Sequence, residues 1–369
     1  MSTQQKEKPA SKGSKTATRQ VLLAGVDLGT NTTVFQVSKD GERLTYERDV
    51  IRTIVGYTKP GILPGIIPQD KDKLFGEAAV DYRLHLDLKW PLRDGHIEDV
   101  QVARDFLGYI RDLIANGRDC EIWAVIGIPA NSTPDKLKLL RSAVSGLFER
   151  ILVVPEPFLS AMGLRDESKL GDPNYVDPTR HSLIVDIGAG TTDMCLVQGY
   201  YPTPEDQISY PTAGDAVDKV LAEKIARRWP DLKLSRVTIT KVKEQFSFVG
   251  DARKEATVRF YADGKPRVID IAPLVKEACE ILIPVIVEGI KVLLKRCDSE
   301  SVQYILQNVI LCGGGSAIQG LSDEVQKRLR AEGYEDTVCT TPPDYRRLVA
   351  LGALKVAESV REDQWQVPM

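Results

Sequence analysis

The sequence predicts an α/β protein of two related domains facing each other across a phosphate-binding cleft. Three observations carry this: a repeated strand–turn–strand motif, a further strand running into a glycine run, and a length of 369 residues. That length exceeds one typical core and suits two domains of roughly 100–200 residues each.

The repeat is the strongest signal. Val26-Asp27-Leu28-Gly29-Thr30-Asn31-Thr32-Thr33 returns as Val185-Asp186-Ile187-Gly188-Ala189-Gly190-Thr191-Thr192, at an offset of 159 with five of eight positions identical. Apolar runs flank each copy, Leu22–Val26 and Val34–Val37 around the first, Leu183–Val185 and Met194–Val197 around the second. Each copy therefore reads as a β-hairpin with a glycine-containing turn. Glycine there permits positive φ and leaves backbone N–H groups uncovered, so successive amides can converge on an anion. Threonine hydroxyls add donors, and an Asp at the strand end offers a hard oxygen ligand suited to Mg²⁺ or its bound water. One Asp-x-Gly-Thr cluster is common in ordinary turns. Two with matched flanks point to paired domains gripping one phosphate chain.

The third element is Asn308–Cys312, a short apolar strand that enters Gly313-Gly314-Gly315-Ser316 before a helical pattern at Leu321, Val325 and Leu329. Glycines ahead of a helix let backbone approach a flat or anionic ligand. No Lys-Ser/Thr follows, so this is not a Walker loop, and the first strand lacks the G-x-G-x-x-G of a dinucleotide fold.

Between the hairpins, Glu121–Ile128 reads as a buried strand closed by Pro129, followed by a helix over about 134–148. Ile151–Val154 is a further strand, ended by Pro155-Glu156-Pro157 before a helix from about Phe158 to Leu164. Glu156 thus lies at a strand-to-helix junction, where an α/β sheet places ligand sites. By position alone it is equally a helix-start acid favoured by the macrodipole. Lys243-Glu244, read in isolation, is a solvated helix face.

Composition narrows the class. The net charge of −3 and scattered aromatics offer no nucleic-acid stripe. Residues 1–20 form a polar tail carrying Lys6, Lys8, Lys12, Lys15 and Arg19 against Glu7, read as disordered. Val21–Val26 is too short for a signal-peptide core, and the most apolar run, Ile281–Leu294, is broken by Pro284, Glu288 and Lys291. Six cysteines without CxxC spacing suit a reducing cytoplasm. His85, His96 and His181 have no metal-ligand spacing, and G-x-S-x-G is absent.

In order, strand–DLGTNTT, strand–EP–helix, strand–DIGAGTTD and strand–GGGS–helix resembles the actin-like ATPases, a superfamily shared with heat-shock ATPases and sugar kinases. The resemblance covers residues 21 to about 358. It implies an actin-like, duplicated ribonuclease H-like two-domain ATPase fold with a central nucleotide cleft. Domain I would span 21–179 plus 346–369 and domain II 180–345, with Ala350–Ala353 in the second connecting helix. It further implies ATP or ADP with Mg²⁺. Asp27, Gly29, Thr30, Asn31 and Thr32 would form the first phosphate loop, and Gly188, Ala189, Gly190, Thr191 and Thr192 the second. Asp27 and Asp186 would orient Mg²⁺ largely through its waters. Glu156, with Asp186, would position the lytic water. Gly214 and Asp215 resemble the family's Gly-Asp element, Lys243 and Glu244 its ribose and base contacts, and Gly313, Gly314, Gly315 and Ser316 its adenosine loop.

Within that superfamily, a chaperone needs a peptide-binding domain after the ATPase core, and only sixteen residues follow Ala353. A small-molecule kinase is the alternative, but it usually needs a longer chain. Ala124–Ala130, Val185–Asp193, Pro204–Gln207 and above all Lys243–Gly250 are similar to the bacterial actins that form cytoplasmic filaments alongside magnetosome chains. That similarity implies an ATPase whose chief partner is itself, in a homopolymeric filament joined to magnetosomes by an adaptor protein. No nucleic acid and no direct membrane insertion are expected. The Pro-interrupted apolar loop Ile62–Ile67 is a candidate filament contact.

Overall fold

The computed structural model describes residues 19–130, 132–251, 255–262 and 264–368; nearly all of the basic tail lies outside them. Two sheets organise the chain, and the internal repeat extends to their topology. In the first, the strands run in the order Arg150–Pro155, Cys120–Ile128, Gln20–Leu28, Thr32–Lys39 and Glu42–Leu44, with Val50–Arg52 also paired to Thr32–Lys39. In the second, the order is Cys339–Thr340, Val309–Cys312, Ser182–Ile187, Thr192–Val197 and Gln207–Tyr210. Each sheet therefore has an antiparallel hairpin at its centre, and the hairpin's first strand also pairs in parallel with a later strand. Val26 faces Phe35 and Ile126, and Val185 correspondingly faces Met194 and Leu311.

Burial follows from helices covering the sheets. All six residues of Ser182–Ile187 and of Thr192–Val197 are buried, which explains near-continuous apolar runs in place of alternation. The core of the first half is built on Leu22, Val26, Phe35, Phe106, Ile110 and Ile126. The second half centres on Val185, Ile187, Ile286, Ile290, Leu311 and Val325. Leu321, Val325 and Leu329 form the buried stripe of a helix over Leu321–Ala331, as their spacing predicts. Leu282–Leu294 is a buried core helix; no helix among the described residues is long and apolar enough to cross a membrane.

Two boundaries differ from the sequence reading. The helix from Pro134 stops at Val144 rather than near Phe148, because Gly146 turns the chain with φ 73°. The next helix begins at Glu156, not Phe158, with Pro157 in its first turn, where a missing N–H costs nothing.

The halves meet at two helices, Glu156–Leu164 and Leu348–Ser359, which pack on each other; the second also covers strands Gln20–Leu28 and Cys120–Ile128. Their backbones touch. A Cβ on Gly352 would fall on the Leu159 carbonyl oxygen, one on Gly163 on the Leu348 carbonyl oxygen, and one on Gly25 on that of Ala350. Trp365 beyond the last helix packs edge-on against Trp123, with 5.6 Å between ring centroids, so the C-terminal segment returns to the first half. Gly352→Ala should lower stability by about 2 kcal/mol or more, since the neighbouring atoms are backbone and cannot rotate away. Urea-unfolding midpoints of the variant and parent measure this.

Candidate functional site

A cavity of about 230 Å³ lies between the halves, and both hairpin turns open into it. Asp27 and Gly29–Thr32 line one side, and Asp186 with Gly188–Thr191 the other. Glu156, Gly214, Lys243, Glu244 and Gly313–Gly315 complete the wall. A larger neighbouring cavity of about 890 Å³ receives neither hairpin turn, so the convergent donors single out the smaller one.

Close approach, rather than unusual backbone conformation, requires glycine at 29 and 190 of the turns. Gly29, Gly188 and Gly190 do not have positive φ, contrary to the sequence expectation. A Cβ on Gly29 would sit 2.5 Å from the Thr32 carbonyl oxygen. One on Gly190 would sit 2.6 Å from Asp94 Cα and 2.7 Å from both Gly95 N and Thr30 Oγ1. The second turn therefore touches the first half directly. Gly313 does need its glycine conformationally: its φ is 75°, and a Cβ would fall on Asp186 Oδ1.

Three carboxyl groups, Asp27, Glu156 and Asp186, line the floor, and a fourth, Asp193, is buried beside Asp186. Asp27 and Asp186 are opposite numbers on their hairpins, cross-strand from Val34 and Asp193. Asp186 and Asp193 are only 6% and 1% exposed, whereas Asp27 and Glu156 keep some surface. Burial, then the charge of Asp186, pushes the Asp27 carboxyl well above the usual range. Burial also raises Glu156 strongly, helped by Asp27, Asp193 and Asp186. Asp186 is raised by burial to about 6, against the opposing Ser160 hydroxyl, which donates to Oδ2 at 3.2 Å. Asp193 reaches about 7 for the same first reason, although Thr191 Oγ1 donates to it at 2.6 Å. Yet no group of three or more His, Cys, Asp or Glu among the described residues could cage a metal. Such a floor fits a Mg²⁺ ion that keeps its waters and takes its remaining ligands from phosphate.

Over residues 23–364 the chain matches the family model for MreB/Mbl protein. It belongs to the MreB/Mbl family. This MreB/Mbl chain is 36% identical to the actin-like protein MamK of Magnetospirillum gryphiswaldense over 349 residues, 93% of this chain and 91% of that protein. It is also 36% identical to MamK of Paramagnetospirillum magneticum over 350 residues, 94% of each. Among solved structures, the MamK double helical filament matches with a TM-score of 0.82 at 36% identity, covering 92% of this chain and all of that one. A non-polymerising MamK mutant bound to AMPPNP matches with a TM-score of 0.62, covering 92% of this chain and 99% of the mutant. The fold of this MreB/Mbl protein is actin-like.

Lys243 and Glu244 are more than a solvated face, since both make bonds at the cavity wall. Lys243 Nζ lies 2.9 Å from Asp218 Oδ1 and donates to the Gly214 carbonyl at 2.9 Å. Glu244 accepts from Asn31 Nδ2 at 3.1 Å and from an Arg52 guanidinium N–H at 2.9 Å. Three expected side chains do not reach the cavity. Asp215 pairs with Arg236 at 2.9 Å and lines the neighbouring cavity, because it lies one helical step round from Gly214; its backbone N–H instead supports the second turn through Ala189 O. Thr192 alternates to the opposite face from Thr191, and its hydroxyl donates to Thr212 O. Ser316 closes its own turn by donating to Gly313 O at 2.8 Å.

Arg52, Glu77 and Arg346 line the cavity and belong to no recognisable motif. Asp193 was legible as the end of the second turn, but its place as a fourth buried acid comes only from the cross-strand register.

Carboxyls raised above their unfolded values hold protons in the fold that the unfolded chain has released. Their contribution favours folding at low pH and is lost as pH climbs through the folded values. For Asp193 that window runs from about 4 to about 7. Asp193→Asn should therefore raise the melting temperature of the ligand-free protein at pH 8 and leave it nearly unchanged at pH 4, a contrast that thermal denaturation at the two pH values measures.

Proposed function

We propose that this chain is an ATP-hydrolysing bacterial actin that binds ATP with Mg²⁺ between its two hairpin turns, polymerises, and organises magnetosome chains. One observation supports this above the rest: two turns of related sequence and the same topology open into one cavity over a floor lined by three carboxyls, Asp27, Glu156 and Asp186. The AMPPNP held by the MamK mutant, and the filament formed by MamK, support nucleotide and assembly in turn.

Thr30, Asn31 and Thr32 would bind the β-phosphate through amides and hydroxyls, and Gly188–Thr191 the γ-phosphate. Mg²⁺, held by Asp27 and Asp186 mainly through water, would supply positive charge that offsets both the phosphates and the crowded carboxyls. Glu156, beside Asp27 and Asp186, would orient the attacking water, and Ser160 holds Asp186 in place. Most of such catalysis is positioning and electrostatics. Because the two phosphates contact different halves, ATP favours a closed cleft and hydrolysis relaxes it.

Head-to-tail contacts that do not close into a ring propagate as filaments. Leu63 and Ile66, 72% and 42% exposed in the loop over Ile62–Ile67, are available for such a contact, whereas Ile67 is buried in its own half.

High-speed pelleting with ATP, ADP or no nucleotide, alongside phosphate release, tests the reading. Sedimentation that needs ATP, with phosphate released after assembly, is expected. Soluble protein whose hydrolysis a sugar stimulates would instead indicate a kinase of the same fold. Asp186→Ala should slow hydrolysis about 10²-fold or more and prolong filament lifetime. Glu156→Ala should reduce hydrolysis more than ATP affinity; equal losses would make Glu156 structural.

A further inference from the structure

The helix Arg236–Phe246 belongs to the second half but packs on both. Ile239 and Val242 sink into the second-half core, and Lys243 is tied to Asp218. Arg236, Val237 and Glu244 fall within one arc of the helix, about 100° wide. All three reach the first half. The Arg236 guanidinium lies 4.7 Å from the centre of the Trp90 ring, and Val237 packs against the first-half cluster of Ile54, Val80 and Leu86. Glu244 completes the row with its bonds to Arg52 and Asn31.

From this geometry we propose that the helix is a latch. It holds the cleft closed through the protein's own side chains, with the Arg52–Glu244 ion pair as its catch. Arg52 is suited to a releasable catch because its Nε also donates to Glu77 of its own half at 2.8 Å. When the cleft opens, Arg52 keeps one carboxylate partner, and Glu244 turns to water; neither charge is stranded in a dry interior. The two side chains are 20% and 34% exposed, so the catch is open to salt screening. Bound nucleotide then acts on a cleft that is already biased toward closure, and its exit requires the catch to break.

The test needs no nucleotide, so it stands apart from the ATPase reading; failure of ATP binding would leave its outcome intact. Cys297, the one cysteine that is not buried, is replaced by C297S, and nitroxides are placed on the full chain at L84C in the first half and V268C in the second. Double electron–electron resonance then reads the separation of the halves. The parent should show a dominant closed distance that loses population at high salt. R52Q and E244Q should each raise the open-to-closed ratio about twofold to tenfold. The double variant R52Q/E244Q should go no further than the stronger single, because both substitutions remove one bond. Distances unchanged in either single variant, or a double-variant ratio equal to the product of the two singles, would overturn the latch.

Discussion

The site depends on a contact between the two halves that admits no side chain. Gly190 carries the second turn onto Asp94, Gly95 and Thr30 of the first half, at distances a Cβ could not share. Thr30 Oγ1 in turn accepts from the Gly95 N–H at 2.9 Å, so the first turn is braced at the same point. Both sets of amide donors thereby converge on one small cavity. Behind the turns, Gly25, Gly163 and Gly352 let two helices and a strand meet backbone to backbone. Gly190 thus sets the contact between the halves, and the other three set the packing of the helices behind it.

That placement concentrates negative charge. Three lining carboxyls and a fourth buried beside them, all opposed in their ionisation by burial, are tolerable in a floor that works against polyphosphate and a divalent cation, and costly without them. The same logic makes ligand binding stabilise the fold, since anything that binds only the folded state adds its own free energy. Ser160 and Thr191 each donate to one of these groups and so orient it. The crowding is a local strain that a packing core would not retain.

Much of this was legible in the sequence because it rests on local chemistry. The offset repeat exposed both hairpins, the strand–Gly–Gly–Gly run exposed the third wall, and Pro155-Glu156-Pro157 exposed the acid at the junction. What stayed hidden depends on contacts distant in sequence. Arg52 joins Glu244 across 192 positions, and no pattern around Val50–Arg52 announces it. The side chains of Asp215 and Thr192 turn away from the cavity, and adjacency in sequence does not say which face of a helix or strand a side chain takes. The turn glycines were read as permitting positive φ, whereas Gly29 and Gly190 are needed for close approach; for Gly190 only the neighbouring half supplies that reason.

The most direct test of a phosphate site built on this contact is calorimetric titration of Mg²⁺·AMPPNP into the parent and into Gly190→Ala, with urea unfolding as a check on the fold. The variant should unfold cooperatively and bind about tenfold more weakly or worse, because one methyl group pushes the second turn away from the first. Parent-level affinity in a folded variant would contradict it.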